Sequence, residues 1–301
     1  MILKSPTGLL FSMLLFISVS YFVGGVYGVF GYLLNGTTLA KLPLDFGYLG
    51  SQILGIPIEA HEVGIRRYDK LLEIGDRPFL GYTDMVEEIQ KRKAGDLLPV
   101  VIRRASDGSI ANLQIKLRPR LKEAVPAWNW LWKIATQIVF PFFCMLIGFW
   151  VIWNKPRDPR AWLLLAIMLA SSAFIPTWTW TGYSAAFVAG WQALLSSMLP
   201  AAMVMFAIYF PDRSQIDRSW PWLKWLFLAP LSICSAVVVW WAVFKQINMA
   251  LNDWTMPYLN GAFNAKQILG MAGFGLFFAI LGRKSTLAST KDARRRLQLL
   301  G

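Results

Sequence analysis

His61 is the one histidine among 301 residues, and Glu62 follows it. A His-Glu pair opens the helical zinc-protease motif, in which a second His four residues on completes the metal-binding face and the Glu acts as general base. Position 65 is Ile65, so the second ligand is missing and metalloprotease chemistry is excluded on these residues. A Ser/His nucleophile pair inside a membrane fails as well, because no long apolar run carries a histidine. No Gly-rich phosphate loop of the Walker type occurs. The sequence therefore assigns no catalytic residue, no cofactor site and no metal site, and His61 is expected at a surface.

The apolar runs are as informative for what they lack. None has an Asp or Glu near its middle, and the basic residues closest to one, Lys133 and Lys266, lie near enough to an end to snorkel. Ion- and proton-coupled transport needs ionisable groups near the midplane, so a transporter ranks below the other function classes. Gln137, Gln192 and Gln267 are expected to bond between helices. Cys144 and Cys234 both fall in apolar runs, which leaves the polar part without a disulfide framework.

These absences make sense once the elements are laid out. With 56% hydrophobic residues and a mean hydropathy of +0.46, the chain exceeds the roughly 45–50% apolar share of soluble proteins and is expected to be solvated by lipid. A hydrocarbon layer about 30 Å thick takes roughly 20 helical residues. Six runs qualify, near 8–34, 127–153, 161–180, 186–210, 223–244 and 263–282. The first is too long for a signal peptide and predicts an uncleaved anchor over 1–34. Residues 127–282 form a five-helix membrane block, and 283–301 a basic cytoplasmic segment that predicts further chain beyond it.

The net charge of +13 reports topology rather than nucleic-acid binding. Residues 35–126 are nearly balanced. The excess falls on Lys4, on Lys155, Arg157 and Arg160, on Arg213, Arg218 and Lys224, and on the stretch from Arg283 to Arg296, all on one side of a six-span arrangement. Short basic loops stay in the cytoplasm, so both termini are expected inside and residues 35–126 outside the inner membrane. All 15 Trp lie between Trp128 and Trp254, many at run ends, as in an aromatic belt. Pro141, Pro176, Pro200 and Pro230 fall within runs and predict kinks.

Within 35–126 the period changes. Lys70–Ile74 reads as a strand, Tyr82–Lys93 as a helix capped by Thr83 or Asp84, and Leu98–Arg103 and Asn112–Leu117 as a hairpin around Ser106-Asp107-Gly108. The string from Val63-Gly64-Ile65 through Asp69 and Lys70–Ile74 to Arg77-Pro78-Phe79 resembles the signature of bacterial PDZ domains. That resemblance implies an α-helical membrane protein carrying an inserted α+β PDZ-like domain. It also implies capture of an extended peptide or protein segment beside a helix. The carboxylate loop would be Gly47-Tyr48-Leu49-Gly50, before an apolar strand Gln52–Ile58, and the groove wall would carry Met85, Val86 and Ile89. The chain departs from the family at Glu59–Val63, at Tyr68 where glycine is commoner, and in the order Gly75-Asp76. A domain that packs on the membrane part or on a partner is thus the alternative to peptide capture.

The layout of anchor, outside domain and membrane block is similar to that of bacterial membrane sensors that precede a histidine kinase or a metal-dependent Ser/Thr protein phosphatase. It implies a signalling input module with a cytoplasmic output partner. A static scaffold recruiting envelope proteins is the alternative, and a transporter the third choice.

Overall fold

The computed structural model describes residues 6–46, 53–55, 63–121, 126–173, 182–252 and 256–287. It is mostly helical, and five helices are long and apolar enough to cross a membrane: Thr7–Asn35, Trp128–Asn154, Ser184–Tyr209, Leu223–Ile247 and Pro257–Thr286. In a bilayer each backbone N–H and C=O needs an internal partner, which a continuous helix supplies. The third expected span begins as a shorter helix, Pro159–Ser171, and its continuation over 174–180 lies outside the described residues.

Helix α1 spans Pro6–Asn35. Helix α3, Ala127–Ile134, runs through a widened π turn, Ala135–Val139, into α4, Phe140–Asn154. The turn widens just before Pro141, which has no N–H to offer, and Phe140 N–H reaches back five residues to Ala135 O. The remaining helices are α5, Pro159–Ser171, α6, Gly182–Tyr209, the short α7, Gln215–Ser219, α8, Leu223–Ile247, and α9, Met256–Leu287. Pro200 and Pro230 are accommodated inside α6 and α8.

Helix α6 packs against α5, α8 and α9. Glycines set the close approaches. A Cβ on Gly273 of α9 would lie 2.9 Å from the Phe227 ring and 3.0 Å from Pro200, and one on Gly148 of α4 would lie 2.9 Å from Leu165. Two ends are then defined by contacts. At one, Phe11 of α1 meets Phe149 and Trp153, Arg160 donates to Pro211 O at 2.6 Å, Lys224 reaches Tyr209 Oη at 2.9 Å, and Lys284 of α9 reaches the carbonyls that end α6. At the other, Gly190 of α6 packs on Val243 of α8, and a small antiparallel sheet region covers the helix ends.

That region comprises β1, Ala40–Lys41, β2, Asp45–Phe46, β3, Ile53–Gly55, β4, Lys70–Ile74, β5, Arg77–Pro78, helix α2, Tyr82–Gln90, β6, Leu97–Arg103, β7, Ile110–Lys116, and β8, Arg118–Pro119. The main sheet has the order β5-β4-β6-β7, β2 pairs with β3, and β1 pairs with β8. Alternation decides the faces of β6: Leu98, Val100 and Ile102 are buried while Leu97, Pro99 and Arg103 are exposed. They join Ile65, Leu71, Ile74, Ile115 and Leu117 in one core, against which Tyr82, Met85 and Ile89 of α2 pack. The expected strand Lys70–Ile74 has its expected bounds, the hairpin strands begin one and two residues earlier, and the helix ends at Gln90 rather than Lys93.

The helix cap differs from expectation. Gly81 is the N-cap and has no side chain to accept, so Asp84, three residues on, accepts from Leu80 N–H at 3.0 Å and Gly81 N–H at 2.9 Å. The chain enters and leaves the sheet region side by side: Arg120 N–H donates to Leu39 O at 2.8 Å and Leu121 N–H to Gly36 O at 2.8 Å.

Candidate functional site

The string around Gly64 and Asp69 is built as a fastener. Asp69 is 1% exposed and accepts from Arg66 N–H at 2.8 Å, Ala105 N–H at 3.0 Å and Arg104 Nη1 at 3.3 Å, while Arg104 also bonds Gly64 O. It ties the turn before β4 to the loop after β6, using a carboxylate because several donors converge on it. Tyr68, beside it, has φ +72°, the left-handed region where glycine is favoured. The glycine missed there in the sequence is thus missed by the backbone too.

Helix α2 carries the expected groove wall. Met85 and Ile89 turn toward the core, and Val86 is half-buried outside that cluster. On another face Glu88, 4% exposed, pairs with Lys91, with Arg92 at 3.1 Å and with Arg77 at 3.9 Å. The hydrogen bond from Lys91, opposed by burial and aided by Arg92, holds the Glu88 carboxyl below its usual range. Gly75, at φ +63°, lies under Glu88, where a Cβ would stand 2.6 Å from Oε2. Gly47, Tyr48, Leu49 and Gly50 lie outside the described residues, as do Gln52, residues 56–58, His61 and Glu62. Residues 47–52 connect β2 to β3, whose register pairs Asp45 with Gly55 and Phe46 with Ile53. Among the described residues β3 pairs with β2 alone.

The start of α2 is also where the sheet region meets the membrane helices. Met249, in a 3-10 turn over Met249–Asn252 after α8, is buried in the core of the sheet region, and its N–H donates to Leu80 O at 2.7 Å. Gly81 sits on the end of α8, where a Cβ would come within 2.5 Å of Gln246 O. The Lys245 ammonium lies 3.9 Å from the Trp241 ring centroid and 5.6 Å from that of Tyr82. Packing on the membrane part was the alternative the sequence offered, but it did not point to these residues. Met249 follows a membrane run and carries no pattern linking it to residues more than a hundred positions earlier.

Basic residues at the opposite end act as ties as well as charge. Lys284 Nζ donates to Ala207 O at 2.7 Å, Ile208 O at 2.8 Å, Phe210 O at 2.8 Å and Asp212 O at 2.6 Å, joining α9 to the end of α6. Asp217, 4% exposed in α7, accepts from Arg213 Nε at 2.6 Å and Lys224 Nζ at 2.9 Å. Burial opposes ionisation of Asp217, yet bonds from Lys224 and Arg213 outweigh it and keep the carboxyl below its usual range. Gln192 of α6 donates to Ala173 O, two residues past the end of α5, at 2.9 Å. Among the described residues no three His, Cys, Asp or Glu side chains cluster as metal ligands. No protein-family model and no curated protein matches this chain.

Proposed function

We propose that the chain is a membrane signalling input module. A PDZ-like domain outside the inner membrane binds a peptide or protein segment and passes the event through the helical bundle to a cytoplasmic output partner. The observation that carries it is the seat of α2 on α8: at the entry to the helix expected to wall the groove, Gly81 lies on the last turn of a membrane helix and Leu80 accepts from Met249 just beyond it. A peptide bound along α2 would load that joint directly. The β2–β3 hairpin supports the PDZ-like reading, because its connection holds the expected carboxylate loop.

Six crossings are favoured over five by the direction of travel. Arg160 at the start of α5 contacts the basic end, whereas Gly190 in the first half of α6 packs on α8 toward the sheet end, which supports a crossing between them. With the basic end cytoplasmic, the sheet end is extracytoplasmic. Signalling further requires two bundle arrangements with different ligand affinity. Spin labels near Trp225 and Arg283 are expected to change separation when a peptide with a free apolar C-terminus binds. Unchanged separation with peptide bound would remove the switching claim and leave the scaffold reading.

A further inference from the structure

Between α6 and α8 runs a groove of about 520 Å³ whose residues all lie within candidate spans. Its hollow comes from small side chains one turn apart, Ser197 and Ala201 on α6 and Ser232 and Ala236 on α8. Toward the sheet end it stops at Trp240 and Phe244, whose ring centroids lie 4.1 Å apart. From Leu231 to Phe244 the groove follows α8 for about 20 Å, which for its volume makes it a slot rather than a bowl. A helix with its side chains is about 10–12 Å across and cannot sink into such a slot, whereas one extended hydrocarbon chain can.

The chemistry of the walls agrees. No lining residue is charged. Ser197 and Ser235 spend their hydroxyl protons on their own helix, donating to Ala193 O and Leu231 O at 2.6 Å each. Two of the three wall serines are thus spent, and with Ser232 the remaining hydroxyl the slot offers mostly contact surface, at a depth where hydrocarbon is the solvent.

We infer that this groove is a binding site for one acyl chain of a bilayer lipid, held there longer than the lipid that surrounds the rest of the bundle. Occupancy of the slot is independent of peptide capture by the sheet region. The test uses the full chain in nanodiscs of phosphatidylcholine bearing a photoreactive diazirine on one acyl chain, with labelled positions mapped by mass spectrometry. Label is expected to concentrate around Met198 and Ala236–Val239. It should be sparser at Leu131 and Trp150, although those are 72% and 68% exposed. Ala236→Phe fills the slot from one wall and Ala201→Leu from the other. Each is expected to remove groove label from both helices while label at Trp150 persists, and either variant suffices if the other does not fold. Label no denser in the groove than at Trp150, or unchanged in a folded variant, would overturn the site. A cross-link from the groove to a second copy of the chain would overturn it too, assigning the slot to helix packing.

Discussion

Tyr68 holds a backbone conformation that costs an L-residue roughly 1–2 kcal/mol, and it is 48% exposed, with Arg67 over its ring at 5.4 Å. Tyr68→Gly removes that strain at the expense of extra freedom in the unfolded chain, so a gain of about 0.5–1 kcal/mol is expected. Tyr68→Val, β-branched at positive φ, should instead lower the melting temperature measured by nano-scale fluorimetry. Glu88 gives the molecule an acid limit. Its folded-state pKa lies below the ordinary 4.5, so its contribution is complete above that value and fades as pH falls through the depressed pKa. Thermal melts from neutral pH down to about pH 3 should show this loss in the parent protein and a flatter profile in Glu88→Gln, which is already destabilised at pH 7. Asp69 and Gly64 were legible as a signature in the sequence, but the donors that give Asp69 its purpose, Arg104 and the Ala105 N–H, come from a loop far along the chain.

Elements were legible where one periodicity ruled. The apolar runs gave helices because a bilayer leaves the backbone no other choice, and alternation along Leu98–Ile102 gave β6 its buried face. What escaped was how elements meet. Gly81 drew no reading in the sequence, and the backbone of Gln246 lying against it explains the missing side chain. Gly81→Ala cannot be relieved by a rotamer, since the obstacle is main chain. It should destabilise by about 1–3 kcal/mol and raise hydrogen exchange at Leu80 and Met249. Lys284 was read as topological charge, because a count of Lys and Arg says nothing about acceptors. Lys284→Met leaves the last carbonyls of α6 without their donor, and a loss of about 1–3 kcal/mol is expected, seen as earlier thermal aggregation in nanodiscs.

At the scale of the whole molecule, the two ends of the bundle differ in kind. One gathers basic side chains into ties among α5, α6, α8 and α9, and the other carries a folded cap. The bipolar layout was visible in the distribution of charge. The coupling between cap and bundle was not, because it rests on Met249, a residue from the membrane block that completes a core formed by the polar region. The cap hangs on paired strands, β1 arriving and β8 departing, so its excision would leave the stumps at Leu39 and Arg120 ready to be rejoined by a short turn. The excised cassette would fare worse. Produced alone, residues 36–121 would carry a vacancy the size of a methionine, worth about 2–5 kcal/mol. A synthetic peptide copying residues 245–252 should plug that hole and raise the cassette's melting point, a graft in which the protein's own membrane helix becomes the missing plug.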